Sequence, residues 1–176
     1  MSLNTYNTGV FLVVQLKLVW NFNCKKCLLN RQKIRKRSSI YKWINVTFPT
    51  AVVFGTNDGK QITSEANYKM TNNSGRHLKV DVTDYVIDTV NSDAKALEAL
   101  SELQIQSSQS KNVTLAKNGV SAVDTNKEFA VIDTKESINF GFKGKIDDKV
   151  QLGEKAYVES NVVFCFKALP QSGNEK

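Results

Sequence analysis

The chain is poor in the residues from which most catalytic and metal sites are built. Among its 176 residues histidine occurs once, as His77, proline twice, tryptophan twice and cysteine three times. A lone histidine on a strand is too little for a hydrolase triad, a zincin or a His-ligated metal centre, and His77 reads as a surface or turn residue. Cys24 and Cys27 form one CxxC, and Cys165 stands alone as a structural thiol on the strand face opposite Phe164 and Phe166. One CxxC without a second paired half is a weak zinc signal, even with Cys165 and His77 added. Asp81, Asp84 and Asp88 lack the ligand-and-glycine pattern of a calcium loop. Phosphate-cradling glycine motifs and nucleophile elbows are absent, so neither an enzyme nor a cofactor is expected. Asn45, Asn72 and Asn112 open glycosylation sequons, a pattern short enough to arise by chance.

Long hydrophobic runs are missing as well. The most apolar stretch, Val10–Trp20, falls short of the roughly 20 residues a membrane-spanning helix needs, and Lys17 interrupts it. No basic residues precede it and no small-residue cleavage motif follows it, so it lacks the form of a secretory signal. Acidic residues are absent from the first 46 positions, which hold nine of the 24 lysines and arginines. The remainder carries 15 basic and 17 acidic residues, so the net charge of +7 belongs wholly to the head. Asymmetry of this kind marks an appended arm rather than a basic fold. The expected division is a basic extension over 1–43, a β-domain over 44–169 that folds alone, and a tail over 170–176. Lys25, Lys26, Arg31, Lys33, Arg35, Lys36 and Arg37 form a possible polyanion-binding cluster. Aromatic residues are too sparse there for a base-stacking platform, and a connector is the preferred reading over nucleic-acid binding.

What the chain does have is two-residue alternation. Tyr68 and Met70, then Leu78, Val80 and Val82, flank Asn72-Asn73-Ser74-Gly75, which predicts a β-hairpin. Past Val82 the alternation changes phase at Asp84, predicting a bulge or bend. Thr56–Lys60 and Lys117-Asn118-Gly119 are turn signals, and Pro49 marks an edge or bulge. Asn91–Leu103 is the single helical signal, with Asn91 or Ser92 as cap and Leu97, Leu100 and Leu103 at three-residue spacing. Gln104–Ser110 reads as a polar loop. Ile138, Phe140 and Phe142, then Val158, Val162, Phe164, Phe166 and Ala168, supply further apolar faces. Together these predict an all-β fold, an antiparallel β-sandwich with one short helix behind a basic N-terminal extension. In Val10–Trp20 the even positions Val10, Leu12, Val14, Leu16 and Leu18 form an apolar row suited to strand addition. Such a strand must pair with its own sheet or with a neighbour's.

Residues 44–169 resemble the small secreted β-sandwich surface proteins of Gram-positive bacteria, both WxL-type domains and biofilm-matrix fibre subunits. The matching residues are Val46–Thr50, Asn57-Asp58-Gly59, Tyr68–Gly75, Ile138–Phe142 and Asn161–Phe166. The resemblance implies a non-catalytic structural or adhesive protein, secreted to the cell surface or extracellular matrix. Its expected partners are copies of itself or other surface proteins, with no small-molecule substrate and no membrane span. Alternatives are a virion structural protein, either capsid-decorating or tail, and a nucleic-acid-binding module acting through the basic arm.

Overall fold

A computed structural model describes residues 11–20, 44–56, 59–64, 68–124, 127–153 and 155–170. In chain order the elements are β1 (Phe11–Trp20), β2 (Val46–Thr47), β3 (Ala51–Gly55), β4 (Gln61–Thr63), β5 (Tyr68–Asn72) and β6 (Leu78–Asp88). They continue with α1 (Ala94–Ala99), β7 (Leu100–Ser107), β8 (Asn112–Lys117), β9 (Val120–Ser121), β10 (Lys127–Ile132), β11 (Ser137–Ile146) and β12 (Lys155–Ala168). The expected all-β fold with one short helix is present. The strands form one path, β10-β6-β12-β1-β3-β4-β11-β7-β8-β9, with β5 beside β11 and β2 beside β5. Where the sequence predicts a wholly antiparallel sandwich, the structure has one curled, mixed sheet, because β1 runs parallel to β12. Parallel neighbours need a long connection, and strands from opposite ends of the chain meet that condition.

Curling brings the two ends of the path together, so β10 and β6 lie against β7, β8 and β9. The core fills the space inside. Phe140 of β11 packs against Phe129 of β10 at 6.3 Å and Phe164 of β12 at 6.5 Å between ring centroids, while Phe54 of β3 stacks on Phe142 at 4.5 Å. The curl has a narrow seam, since β3 and β4 share the single pair Gly55↔Thr63.

The Asn72–Gly75 turn does not close a hairpin. β5 pairs with β11 and β2, whereas β6 pairs with β10 and β12, so the turn is a corner between distant parts of the sheet. Side-chain hydrogen bonds replace the missing ladder. Buried Asn72 offers its Nδ2 to the carbonyls of Arg76 (2.7 Å), Asp133 (3.0 Å) and Ile132 (3.1 Å), and its Oδ1 accepts from Ser74 N at 2.8 Å. An asparagine that bonds its own backbone two residues on is a turn-former, and here the same amide also ties in the β10 end.

The helix is shorter than its pattern. Asp93, not Asn91 or Ser92, is the cap, its Oδ1 accepting from Lys95 N (2.8 Å) and Ala96 N (3.3 Å). After six residues the chain becomes β7, which takes Leu100 and Leu103 into the strand core and turns the expected Gln/Ser loop into strand up to Ser107. Leu103-Gln104-Ile105-Gln106-Ser107 alternates with period two, and burial of that face outweighs the three-residue leucine spacing. The phase change near Asp84 is a bulge at Thr83, where the pairing steps from Val163↔Asp84 to Phe164↔Val82. The turn Lys117-Asn118-Gly119 closes the β8–β9 hairpin with φ of 49° at Asn118 and 71° at Gly119. Two positive φ values match the twist of the flanking strands.

Two consequences are measurable. Phe11–Trp20, assigned from sequence to the extension, provides the strand between β12 and β3, so the boundary at 43/44 cuts through the core. Leu12, Val14, Leu16 and Leu18 are each at most 4% exposed. At about 1.5–3 kcal/mol per buried side chain, they supply roughly as much as the whole stability of a typical domain. A truncation starting at Asn45 is therefore expected to lose its cooperative thermal transition, and a retained transition would show that β1 is dispensable. Separately, Asn72→Ala leaves buried carbonyls without donors and is expected to cost about 1–3 kcal/mol by urea denaturation; an unchanged midpoint would remove Asn72 as the corner's anchor.

Candidate functional site

Strand β1 and the slot that holds it are the most distinctive construction in the described residues. Its ten residues pair in unbroken parallel register with β12, from Phe11↔Lys155 to Trp20↔Phe164. On its other edge Val13–Lys17 pair antiparallel with Gly55–Ala51, and Leu18 N donates to Thr50 O at 2.9 Å. The slot is tight. A Cβ on Gly55 would lie 2.2 Å from the Leu12 carbonyl oxygen, so only glycine lets β3 approach this closely.

The two faces of β1 do different work. Leu12, Val14, Leu16 and Leu18 point into the core as one apolar row, while Val10, read from sequence as part of that row, lies outside the described residues. The outer face sets register by polar contacts with β12. Lys17 makes an ion pair with Glu159, and the Tyr157 hydroxyl donates to Gln15 Oε1 at 2.8 Å, with Glu159 Oε2 at 3.4 Å. The Glu159 carboxylate holds the Lys17 ammonium above its usual pKa near 10.5. On the two strands next along the sheet, Tyr85 of β6 and Ser160 of β12 are buried. Burial pushes the Tyr85 phenol up to about 12, and the nearby Ser160 hydroxyl, outside hydrogen-bonding geometry, offsets part of that. Unsatisfied buried hydroxyls cost about 1–3 kcal/mol each, which offsets part of the gain from apolar burial.

The strands that end the path are poor templates. β2 and β9 are two residues long, too short to template another strand. Along β10, the Gln109 side chain acts as a substitute neighbour. Its Nε2 donates to Val131 O at 2.6 Å and its Oε1 accepts from Val131 N at 3.0 Å. Next to this latch Glu128 pairs with Lys79 (2.8 Å) and Lys111 (3.4 Å), joining β10 to β6 and to the turn before β8. Asp81, almost fully buried, continues the row with Lys79 and Lys167.

The other residues singled out from sequence do not converge. His77 is half-exposed and bonds Asp133 Oδ1 at 2.8 Å, as a surface residue would. Asp84 Oδ1 accepts from Tyr85 N, and Asp88 accepts from Val90 N and Asn91, which holds its carboxyl below the usual range. Among the described residues no group of three His, Cys, Asp or Glu side chains is placed to hold a metal. Cys165 is buried on β12 opposite Asp81. Cys24, Cys27 and the cluster Lys25, Lys26, Arg31, Lys33, Arg35, Lys36 and Arg37 lie outside the described residues. Among the described helices none is long and apolar enough to cross a membrane. A polar trough on the outer face of β4, β11 and β7 escaped the sequence reading. Its signal was the alternation of Gln104 and Gln106 with Leu103 and Ile105. No protein-family model matches the chain, and no curated protein matches it.

The latch generates a pH dependence. Hydrogen bonding and charge from Lys79, then Lys111, hold the Glu128 carboxyl below its ordinary value near 4.5. A depressed folded pKa contributes stability that is present above the unfolded value and lost as pH falls through the folded one. Glu128→Gln is therefore expected to lower the melting temperature slightly at pH 7 and to flatten its decline between pH 5 and 3. An identical acid slope in both proteins would show that Glu128 does not contribute.

Proposed function

We propose that this chain is a non-catalytic structural or adhesive β-protein of the cell surface or extracellular matrix that assembles by strand addition, β1 being the strand exchanged. The supporting observation is the way β1 is held. It lies between the two strands β12 and β3, and residues 21–43 separate it from the rest of the described chain. Another copy's β1 would meet the same backbone partners, the same apolar row and the same Lys17–Glu159 and Gln15–Tyr157 contacts. Exchange of identical elements costs little, because each copy re-forms between chains the interactions it had made within itself. Concentration then decides the outcome. A tethered strand competes at an effective concentration in the millimolar range, so exchange is favoured where copies are crowded or fold together. The connection, at most roughly 80 Å if fully extended, is long enough to reach a neighbour. The short β2 and β9 and the Gln109 latch on β10 support the same reading, since they make the ends of the path poor places for chains to join.

Cross-linking between differently tagged copies tests this. In a background with the native cysteines replaced by alanine, one copy carries Val19→Cys and the other Val163→Cys, positions that face each other in the β1–β12 register. Refolding the two together at high concentration is expected to give a disulfide between the tags. The double variant in one chain should link internally at high dilution. Efficient internal linking with no cross-link at any concentration would reject strand exchange.

A further inference from the structure

We infer that the trough along β11 is a binding site for an acidic polysaccharide. It is an open groove of about 640 Å³ whose walls are β4 on one side and β7 on the other. That volume lies within the range of ordinary ligand sites. Two strand spacings, roughly 10 Å, separate the walls, which leaves room for a single chain of sugar rings laid along the strand.

The groups in the trough define the ligand by complementarity. Lys143 and Lys145 project from the central strand, opposite Gln104 and Glu102 of β7. Neither ammonium has an ion-pair partner among the described residues, so each is available to an anion. Gln104 donates its Nε2 to Glu102 Oε1 at 2.8 Å, and Gln106 donates to Asn112 Oδ1 at 3.0 Å. Each amide thus spends a donor inside the sheet, is fixed in orientation, and keeps its carbonyl oxygen as an acceptor. A matching ligand supplies carboxylates to the lysines and hydroxyl donors to the amide oxygens on the same chain. Uronic-acid polymers do both. A neutral glycan would leave the ammonium groups unmatched, and a phosphodiester backbone offers acceptors without donors. Among the described residues the trough has no exposed aromatic platform, which also argues against stacked bases.

The test uses the full chain with Lys25, Lys26, Arg31, Lys33, Arg35, Lys36 and Arg37 replaced by glutamine in every variant, so that polyanion affinity of the basic head does not contribute. Fluorescence anisotropy with a labelled galacturonate hexamer is compared with a neutral galactose hexamer, polyglutamate and an oligothymidylate. The uronate is expected to bind saturably and to resist competition by the neutral sugar. Lys143→Gln with Lys145→Gln should weaken it at least about tenfold without moving the melting temperature. Gln106→Ala, which removes no charge, should weaken uronate binding severalfold and leave polyglutamate and oligothymidylate unaffected. Uronate binding that survives the double lysine substitution would overturn the site. Equal sensitivity of polyglutamate or oligothymidylate to Gln106→Ala would overturn the polysaccharide assignment.

Discussion

Backbone hydrogen bonding on both edges of β1 is the constraint from which the rest of the architecture follows. A buried strand cannot leave its N–H and C=O groups unpaired. With β1 removed, β12 and β3 would each present an open edge over an apolar floor. Filling that gap fixes the parallel direction at β12, the antiparallel direction at β3, and glycine at position 55. It also makes the sheet continuous from β10 to β9.

Continuity is what allows the curl. Because β3 and β4 touch at one residue pair, the path bends sharply there, and β11 comes to face β10, β6 and β12 across the aromatic core. Closure at the far side is then accomplished by side chains rather than by a ladder. Gln109 supplies the hydrogen bonds of an absent neighbour to Val131, and the Lys111–Glu128–Lys79 row supplies charge pairing alongside it. The buried corner at Asn72 uses the same device, an amide standing in for backbone. Side-chain amides thus complete the sheet in two places where strands cannot pair.

Local patterns were legible in the sequence, and long-range pairings were not. The alternation over Leu12–Val19, the bulge near Asp84 and the Asn118-Gly119 turn each depend on a few adjacent residues, and each reads correctly. Asn72–Gly75 has the composition of a hairpin turn, but turn chemistry does not say whether the flanking strands pair with one another. Only the distant partners β11 and β12 decide that. The charge step near residue 44 misled in the same way, since charge reports on solvent-facing positions while β1 belongs to the core through its even ones. The trough was hidden because Gln104 and Gln106 look like loop residues until the face they share with Lys143 and Lys145 is known.

The pairing of Phe11 with Lys155 has a consequence in time. β1 leaves the ribosome long before β12, the partner it pairs with along its whole length. At about 5–20 residues per second, roughly seven to thirty seconds pass before β12 exists to receive β1. Throughout that interval the apolar row of Leu12, Val14, Leu16 and Leu18 lacks its native neighbour, while β3 can offer only one edge. On a polysome, adjacent nascent copies carry the same unfilled strand and the same incomplete slot at high local density, so synthesis is where the proposed exchange has its first opportunity.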